Sequence, residues 1–196
     1  MIEEQLSRMK REVRDCTRCE LHLKRTQAVF GTGNPFAGLM LIGEGPGEEE
    51  DRQGEPFVGK SGQLLDKILE AAGFSREENV YIANIVKCRP PGNREPKPEE
   101  RAACLPYLMQ QIQLIQPEII ILLGSTALKG LIDPEGRITQ LRGKWITWNG
   151  IHVMPTYHPS ALLRNPELKK DVWEDFKNVV SKYRELIDPH HHSNHT

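Results

Sequence analysis

Three short apolar runs, at residues 38–43, 80–86 and 119–124, limit most strongly what this chain can fold into. They are rich in Ile, Leu and Val, which is typical of strands that are buried on both faces of a sheet. Segments with helical spacing lie between them. This alternation predicts a parallel sheet with helices covering both of its faces.

The remaining elements follow from periodicity and from glycine and proline signals. Helices are expected at residues 1–15, 64–73, 99–116, 125–132 and 166–187. Asn149-Gly150 predicts a hairpin between residues 145–148 and 151–155. Residues 44–62 and 90–98 are expected to be loops, and loops of this length inside a domain are often functional.

Length and composition favour one domain. The chain has 196 residues, and residues 1–187 are predicted to form a single domain. The polar tail, residues 188–196, is expected to be disordered, and its run of histidines carries no functional weight.

No apolar run approaches the roughly 18 residues that cross a bilayer. With an acidic start and no signal peptide pattern, we expect a cytosolic protein without a membrane partner.

Charge is distributed unevenly along the chain. The net charge of −1 argues against a strong, unspecific nucleic-acid binder. Acidic residues concentrate at 48–51, whereas basic residues concentrate at 87–97, 137–144 and 164–170. This pattern is compatible with a locally basic face, and equally with solvated loops of mixed charge.

Four cysteines form the most specific chemical pattern. Cys16 and Cys19 are two residues apart, and Cys88 and Cys104 follow after a long gap. In a reducing compartment such cysteines are more often metal ligands or core residues than disulfides. Four thiolates suit zinc or an iron–sulfur cluster, and the spacing alone does not choose between them. Four unrelated buried thiols are the alternative.

Three polar or glycine-rich segments follow predicted strands: residues 43–47, 84–89 and 158–160. Ligands of open parallel sheets bind beyond the carboxyl ends of the strands. These segments are therefore expected to face one crevice.

The motifs in these segments resemble those of family 4 uracil-DNA glycosylases. The matching stretches are GEGPGEEED at 43–51 with PFVG at 56–59, YIANIVKCRPP at 81–91, and HPS at 158–160. The cysteines match that family's [4Fe–4S] ligands in order and spacing. The resemblance implies an α/β/α sandwich around a parallel four-stranded sheet. It also implies an enzyme that flips uracil out of DNA and hydrolyses its glycosidic bond.

The resemblance also implies roles for three pocket residues. Phe57 would stack on the flipped base, Asn84 would read its edge, and His158 would stabilise the negative charge on the leaving uracil. Each has a structural alternative: a loop Phe packed on the core, a strand amide bonded to a nearby loop, and a strand-end His without a catalytic role.

Other candidates surround that pocket. Leu162 is expected to be the wedge that enters the base stack, although either Leu162 or Leu163 could be an ordinary core residue. Arg89 and Arg94 are expected to contact phosphates. Gly45 is expected to bind uracil through its backbone, and it stands where related branches of the superfamily carry an aspartate or asparagine that activates water. Glu44 and Glu50 are therefore the candidates for orienting water, or for shaping the pocket against the methyl group of thymine.

Two other function classes stay open at this point. A non-enzymatic, metal-bound nucleic-acid module would need the cysteines but not the three pocket residues together. A phosphate-ester enzyme would use the acidic run at 48–51 with Mg²⁺. The expected partner is uracil-containing DNA, bound by a monomer, and the sequence does not assign a contact with a sliding clamp.

Overall fold

The computed structural model of the protein describes residues 1–194. Its centre is a six-stranded sheet in the order β1-β3-β2-β4-β6-β5. The strands are β1 (Thr32–Gly33), β2 (Leu39–Gly43), β3 (Val80–Asn84), β4 (Ile119–Leu123), β5 (Ile146–Trp148) and β6 (Ile151–Thr156). The four middle strands run parallel, whereas β1 and β5 are short antiparallel edge strands. The predicted four-stranded parallel sheet is thus the centre of a larger mixed sheet.

Helices cover both faces of this sheet. They are α1 (Ile2–Arg14), α2 (Glu48–Gln53), α3 (Lys60–Ala71), α4 (Pro98–Ile115), α5 (Ser125–Leu131), α6 (Ile138–Leu141), α7 (Pro159–Arg164) and α8 (Lys169–Leu186). Buried residues of α1, α4 and α5 pack on one face, and those of α3, α7 and α8 pack on the other. This arrangement is the three-layer α/β/α sandwich that the sequence predicts. Within residues 1–194, no helix has the length and apolar character to cross a membrane.

The sheet is buried on both sides, which explains why its strands read as continuous apolar runs. In β2, Met40 and Ile42 join the core on one face, while Leu39 and Leu41 join the core on the other. Successive side chains of a strand point to opposite faces, so each face needs its own apolar residues.

The hairpin is confirmed, but α2 lies where a loop is expected, and α7 lies where the sequence predicts no element. Asn149 and Gly150 both have positive φ, 49° and 79°, as a tight hairpin turn requires. The acidic run at 48–51 forms most of α2, because carboxylates are stabilised in the first turn of a helix. Helix α7 follows the strand end at residues 159–164.

The expectation of a disordered tail is wrong for residues 188–194. His191 is buried and stacks on Phe74, with ring centroids 4.5 Å apart. Its Nε2 lies 2.8 Å from the carbonyl oxygen of Ala72. A Cβ on Gly73 would meet the His191 ring at 2.7 Å, so the glycine makes room for this packing. Residues 195–196 lie outside the described part of the chain.

Candidate active site

Parallel register brings the predicted motifs together at one edge of the sheet. Gly43 and Asn84, the last residues of β2 and β3, are direct neighbours in the sheet. The loops beyond the strand ends enclose a cavity of about 440 Å³. Its lining includes Glu44, Gly45, Pro46, Gly47, Glu50, Phe57, Ser61, Asn84, Pro90, Asn93, Arg94, Glu95, His158, Ser160 and Arg164. The structure therefore brings together most of the residues that the sequence singles out.

Phe57 is held in a strained conformation on the cavity wall. Its φ is +53°, which non-glycine residues seldom adopt and which often marks a functional site. Arg76 holds the loop by donating to the carbonyl oxygens of Pro56, at 2.6 Å, and of Phe57. Gly62 allows α3 to approach this loop, because a Cβ there would overlap the carbonyl group of Phe57. The Phe57 ring lies 5.5 Å from the ring of His158, measured between centroids.

Asn84 carries the most informative polar atom of the site. The residue is 2% exposed, and its Oδ1 has no hydrogen-bond partner among the described residues. An unpaired buried acceptor is costly, so it is explained best by a ligand that donates to it. Gly43 leaves space for this amide, since a Cβ there would lie 2.6 Å from both Asn84 Oδ1 and Phe57 Cζ.

His158 is positioned as a neutral hydrogen-bond donor. It is the N-cap of α7, and its Nδ1 accepts a hydrogen bond from the backbone N–H of Ser160 at 3.0 Å. Burial, reinforced by the positive charge of Arg164 and opposed by Glu50, lowers the pKa of His158 to about 4. At neutral pH the ring is therefore uncharged, with its proton on Nε2.

The two glutamates of the glycine-rich motif differ in what they can do. Glu50 Oε1 accepts from the N–H of Gly47 at 3.0 Å. Its Oε2 accepts from the N–H groups of Val58 and Gly59 at 2.9 and 2.8 Å. These three bonds make Glu50 a brace for the loop that carries Phe57, which argues against a free base that activates water.

Glu44 remains the stronger candidate for orienting water. It lines the cavity, and burial raises the pKa of its carboxyl group, assisted by Glu95 and opposed by a hydrogen bond from Thr126. Gly45 supplies only backbone to the cavity. A Cβ at this position would lie 2.6 Å from Val86 Cγ2, so a side chain there would require Val86 to shift.

The prediction of Leu162 as the wedge is wrong. Leu162 is 1% exposed and packs in the core between the sheet, α3 and α8. Leu163, the next residue of α7, is 49% exposed. A shift of one position along the helix separates the buried leucine from the exposed one, because consecutive residues on a helix point about 100° apart.

The basic side chains near the cavity also lie differently from what the sequence predicts. Arg94 forms two hydrogen bonds with the buried carboxylate of Glu100, at 2.8 and 3.0 Å. The positive charge of Arg94 is therefore paired within the protein. Arg89 donates to Asn93 Oδ1 at 2.7 Å and does not line the cavity. Lys87 is fully buried and contributes nothing to a basic surface.

Arg164 is one of the cavity residues that the motifs miss. It lies at the end of α7, is exposed, and lines the cavity beside His158. The sequence indicates only a basic cluster at 164–170. The signal that identifies Arg164 is its spacing from His158, six residues along a segment that proves to be helical.

The four cysteines line a second, smaller cavity between α1, α4 and the end of β3. Hydrogen bonds from N–H groups reach three of the sulfurs. Arg18 N donates to Cys16 Sγ at 3.4 Å, Arg25 Nη1 to Cys88 Sγ at 3.1 Å, and Lys87 N to Cys104 Sγ at 3.3 Å. Such donors are typical of the surroundings of metal-bound thiolates. Burial raises the pKa of Cys104 to about 11, so a thiolate there requires a compensating cation.

The sulfurs are not gathered as tightly as the ligands of one ion. Among residues 1–194, no three His, Cys, Asp or Glu side chains form a group that could hold a single metal ion. Tetrahedral zinc would bring its sulfurs to within about 4 Å of each other. A cluster of several irons spaces its thiolates more widely, and the shared cavity is compatible with that.

Comparison with known proteins shows strong similarity over most of the chain. The sequence model of the uracil DNA glycosylase superfamily matches residues 30–177. The chain is 49% identical over 183 residues to a type-4 uracil-DNA glycosylase of Thermotoga maritima, covering 91% of this chain and 95% of that protein. It is 46% identical to the type-4 uracil-DNA glycosylase of Sulfurisphaera tokodaii, and the match covers 89% of this chain and 83% of that protein. It is 49% identical to the type-4 uracil-DNA glycosylase of Saccharolobus solfataricus, and the match covers 86% of this chain and 82% of that protein.

Proposed function

The chain belongs to the uracil DNA glycosylase superfamily, and from this premise we propose that it is a type-4 uracil-DNA glycosylase that initiates base excision repair. It is a hydrolase that removes uracil from DNA and leaves an abasic site. Uracil-containing DNA is its substrate and partner, and it acts as a monomer.

One observation carries the proposal: the unpaired Oδ1 of Asn84 in the cavity that also holds Phe57 and His158. Uracil presents an N3–H donor, which this acceptor would pair. Cytosine presents an acceptor at N3, which would leave two acceptors facing each other. Sites that pair with a substrate N–H reject analogues that lack it by roughly 10⁴ or more. The pocket is therefore suited to uracil and unsuited to cytosine.

Hydrolysis would proceed in one crevice with the base turned out of the stack. The bond between N1 of uracil and C1′ of the sugar breaks, and its electron pair stays on the base. The N–H of His158 Nε2 donates to uracil O2, where much of that charge develops. A water oriented by Glu44 adds its oxygen to C1′, and its proton is the one that neutralises the released uracil. Leu163 would fill the gap left in the stack, and Arg164 would hold a phosphate.

The four cysteines fit an iron–sulfur cluster by donor type and by their N–H surroundings, and we propose that they hold the [4Fe–4S] cluster implied by the resemblance. When bound, the cluster would supply a structural cross-link. It would join the loop after α1 to the end of β3 and to α4. Asn84 lies four residues before Cys88, so this cross-link would stabilise the strand that reads uracil.

A magnesium-dependent phosphate-ester enzyme is a weaker reading. The acidic run at 48–51 is engaged within the protein. Asp51 accepts from the N–H of Thr26 at 2.8 Å, and Glu49 pairs with Arg52. Glu50 holds the loop as described above.

The decisive experiment uses an oligonucleotide with one uracil, followed by alkali, which cuts the strand at abasic sites. Scission at the uracil position, unaffected by a chelator of Mg²⁺, supports the glycosylase. Binding without scission supports a nucleic-acid module, and scission that requires Mg²⁺ supports the phosphate-ester enzyme. An oligonucleotide with thymine at that position is the matched control.

Metal analysis of the same preparation tests the cluster separately. About four irons per chain and broad absorption near roughly 400 nm are expected of a thiolate-bound cluster. One zinc per chain in a colourless, anaerobically prepared protein would contradict the cluster and leave the glycosylase proposal intact.

A further inference from the structure

We propose that Lys87 is a positioning residue that connects the four-cysteine site to Asn84 and thereby fixes the amide that reads uracil. The proposal rests on the proposed function, because it concerns the same pocket. It assigns a role to a side chain that the reaction itself does not use.

The side chain of Lys87 is buried completely and folds back toward the end of β3, three residues earlier in the chain. Its Nζ donates to the backbone carbonyl oxygen of Asn84 at 3.0 Å and to Oε1 of Gln111 at 2.6 Å. The ammonium group also lies 5.8 Å from the centre of the Phe30 ring. Burying an ammonium group is costly unless its hydrogen bonds are made, so these contacts constrain it strongly.

Gln111 extends the constraint across the core. While its Oε1 accepts from Lys87, its Nε2 donates to the carbonyl oxygen of Phe30 at 2.9 Å and to the hydroxyl of Tyr81 at 3.3 Å. Both polar ends of this buried amide are therefore satisfied. Lys87 is held by a network anchored in α4 and in β3.

The backbone of Lys87 is fixed on the cysteine side. Its N–H donates to Cys104 Sγ at 3.3 Å, and its carbonyl oxygen accepts from the N–H of Val29 at 2.7 Å. Cys88 is the next residue. One residue thus contacts the cysteine site through its backbone and the reader strand through its side chain.

Asn84 needs such support because nothing in the described chain bonds to its Oδ1. The position of the amide follows from the backbone of Asn84, which is the last residue of β3. Lys87 holds the carbonyl group of that residue. Displacement of a recognition group by about 1 Å can cost roughly 10²-fold in rate, so loosening this carbonyl should be visible in catalysis.

The test is Lys87→Met, which keeps much of the side-chain volume and removes the donors. Uracil release in a single turnover should fall by about 10- to 100-fold, with a similar loss of affinity for free uracil measured by calorimetry. Affinity for DNA that already contains an abasic site should stay the same, because no base is read there. Iron content per chain should also stay the same.

A double-mutant cycle separates positioning from general damage to the fold. In an Asn84→Ala background, Lys87→Met should have no further effect on the rate, since the group that it positions is gone. Ile112→Val is the matched control in the same core, and its small effect should be equal in both backgrounds. If Lys87→Met loses iron, Gln111→Leu replaces it and must give the same pattern.

Two results would overturn the inference. One is an unchanged rate and unchanged uracil affinity in both Lys87→Met and Gln111→Leu. The other is an equal loss with and without Asn84. Failure of the proposed function looks different, because the wild-type protein itself would then neither release uracil nor bind it.

Discussion

The protonation state of His158 leads to a prediction that combines pH and mutation. The side chain is half-buried, its Nδ1 accepts a hydrogen bond from the N–H of Ser160, and desolvation lowers its pKa to about 4. In the proposed mechanism, neutral imidazole that donates through Nε2 is therefore the active form. Protonation would remove the Nδ1 acceptor and break its bond to Ser160.

The size of the effect follows from the two pKa values. With a pKa of about 4, roughly 90% of His158 is neutral at pH 5, whereas with the ordinary value of about 6.5 only roughly 3% would be neutral. The catalytic rate should thus change little between pH 8 and pH 5 and should fall only near pH 4. Loss of a single donor to a developing anion costs about 10²–10³, so His158→Ala should lose that factor at every pH in this range.

The assay is single-turnover release of uracil from one oligonucleotide at pH 4 to 9, with enzyme in excess. Burial raises the pKa of Glu44, so its titration also enters the profile, and the measurement is repeated with Glu44→Gln to separate it from that of His158. A midpoint near pH 6.5 that persists in Glu44→Gln would refute the neutral donor. So would a rate that rises as His158 becomes protonated.

Four other substitutions test the surroundings of the pocket. Leu163→Ala should slow uracil release from duplex DNA with little loss of stability. Leu162→Ala should instead lower the free energy of unfolding by about 2–5 kcal/mol, measured by thermal unfolding. The reverse pattern would identify Leu162 as the wedge. Arg164→Ala should weaken DNA binding and reduce the slope of log affinity against log salt by about 1, and an unchanged slope would exclude a phosphate contact. Glu50→Gln should lower stability by about 1–3 kcal/mol and slow the reaction less than His158→Ala does, whereas a loss of about 10⁴ in rate would identify Glu50 as a general base after all.

The central fold was predictable because apolar periodicity is a local property of the sequence. Strands such as residues 119–124 are buried on both faces and therefore stand out. The edge strand β1 has only two residues, Thr32 and Gly33, and its pairing with β3 depends on a distant segment. Helix α2 was hidden by a glycine- and proline-rich context, although its acidic first turn gives it a physical reason to form.

The motifs that surround the cavity were predictable, but individual lining residues such as Arg164 and the geometry of the side chains were not. Motifs place Asn84 and His158 at strand ends, and parallel strands bring those ends together. The orientation of Leu162 relative to Leu163 depends on the exact start of α7, which a sequence pattern fixes only within a residue or two. The pairing of Arg94 with Glu100 and the burial of Lys87 depend on tertiary packing, which no local pattern contains.

The most direct test of the central claim is base release by Asn84 variants from matched oligonucleotides that carry uracil or cytosine at one position. The wild-type protein should release uracil and no cytosine, and Asn84→Ala should lose uracil release without gaining cytosine release. Asn84→Asp should lose most uracil release and gain faint cytosine release, since its second oxygen can accept from the cytosine amino group. Full uracil release by Asn84→Ala would contradict the account, because uracil would then be read by another group in the pocket.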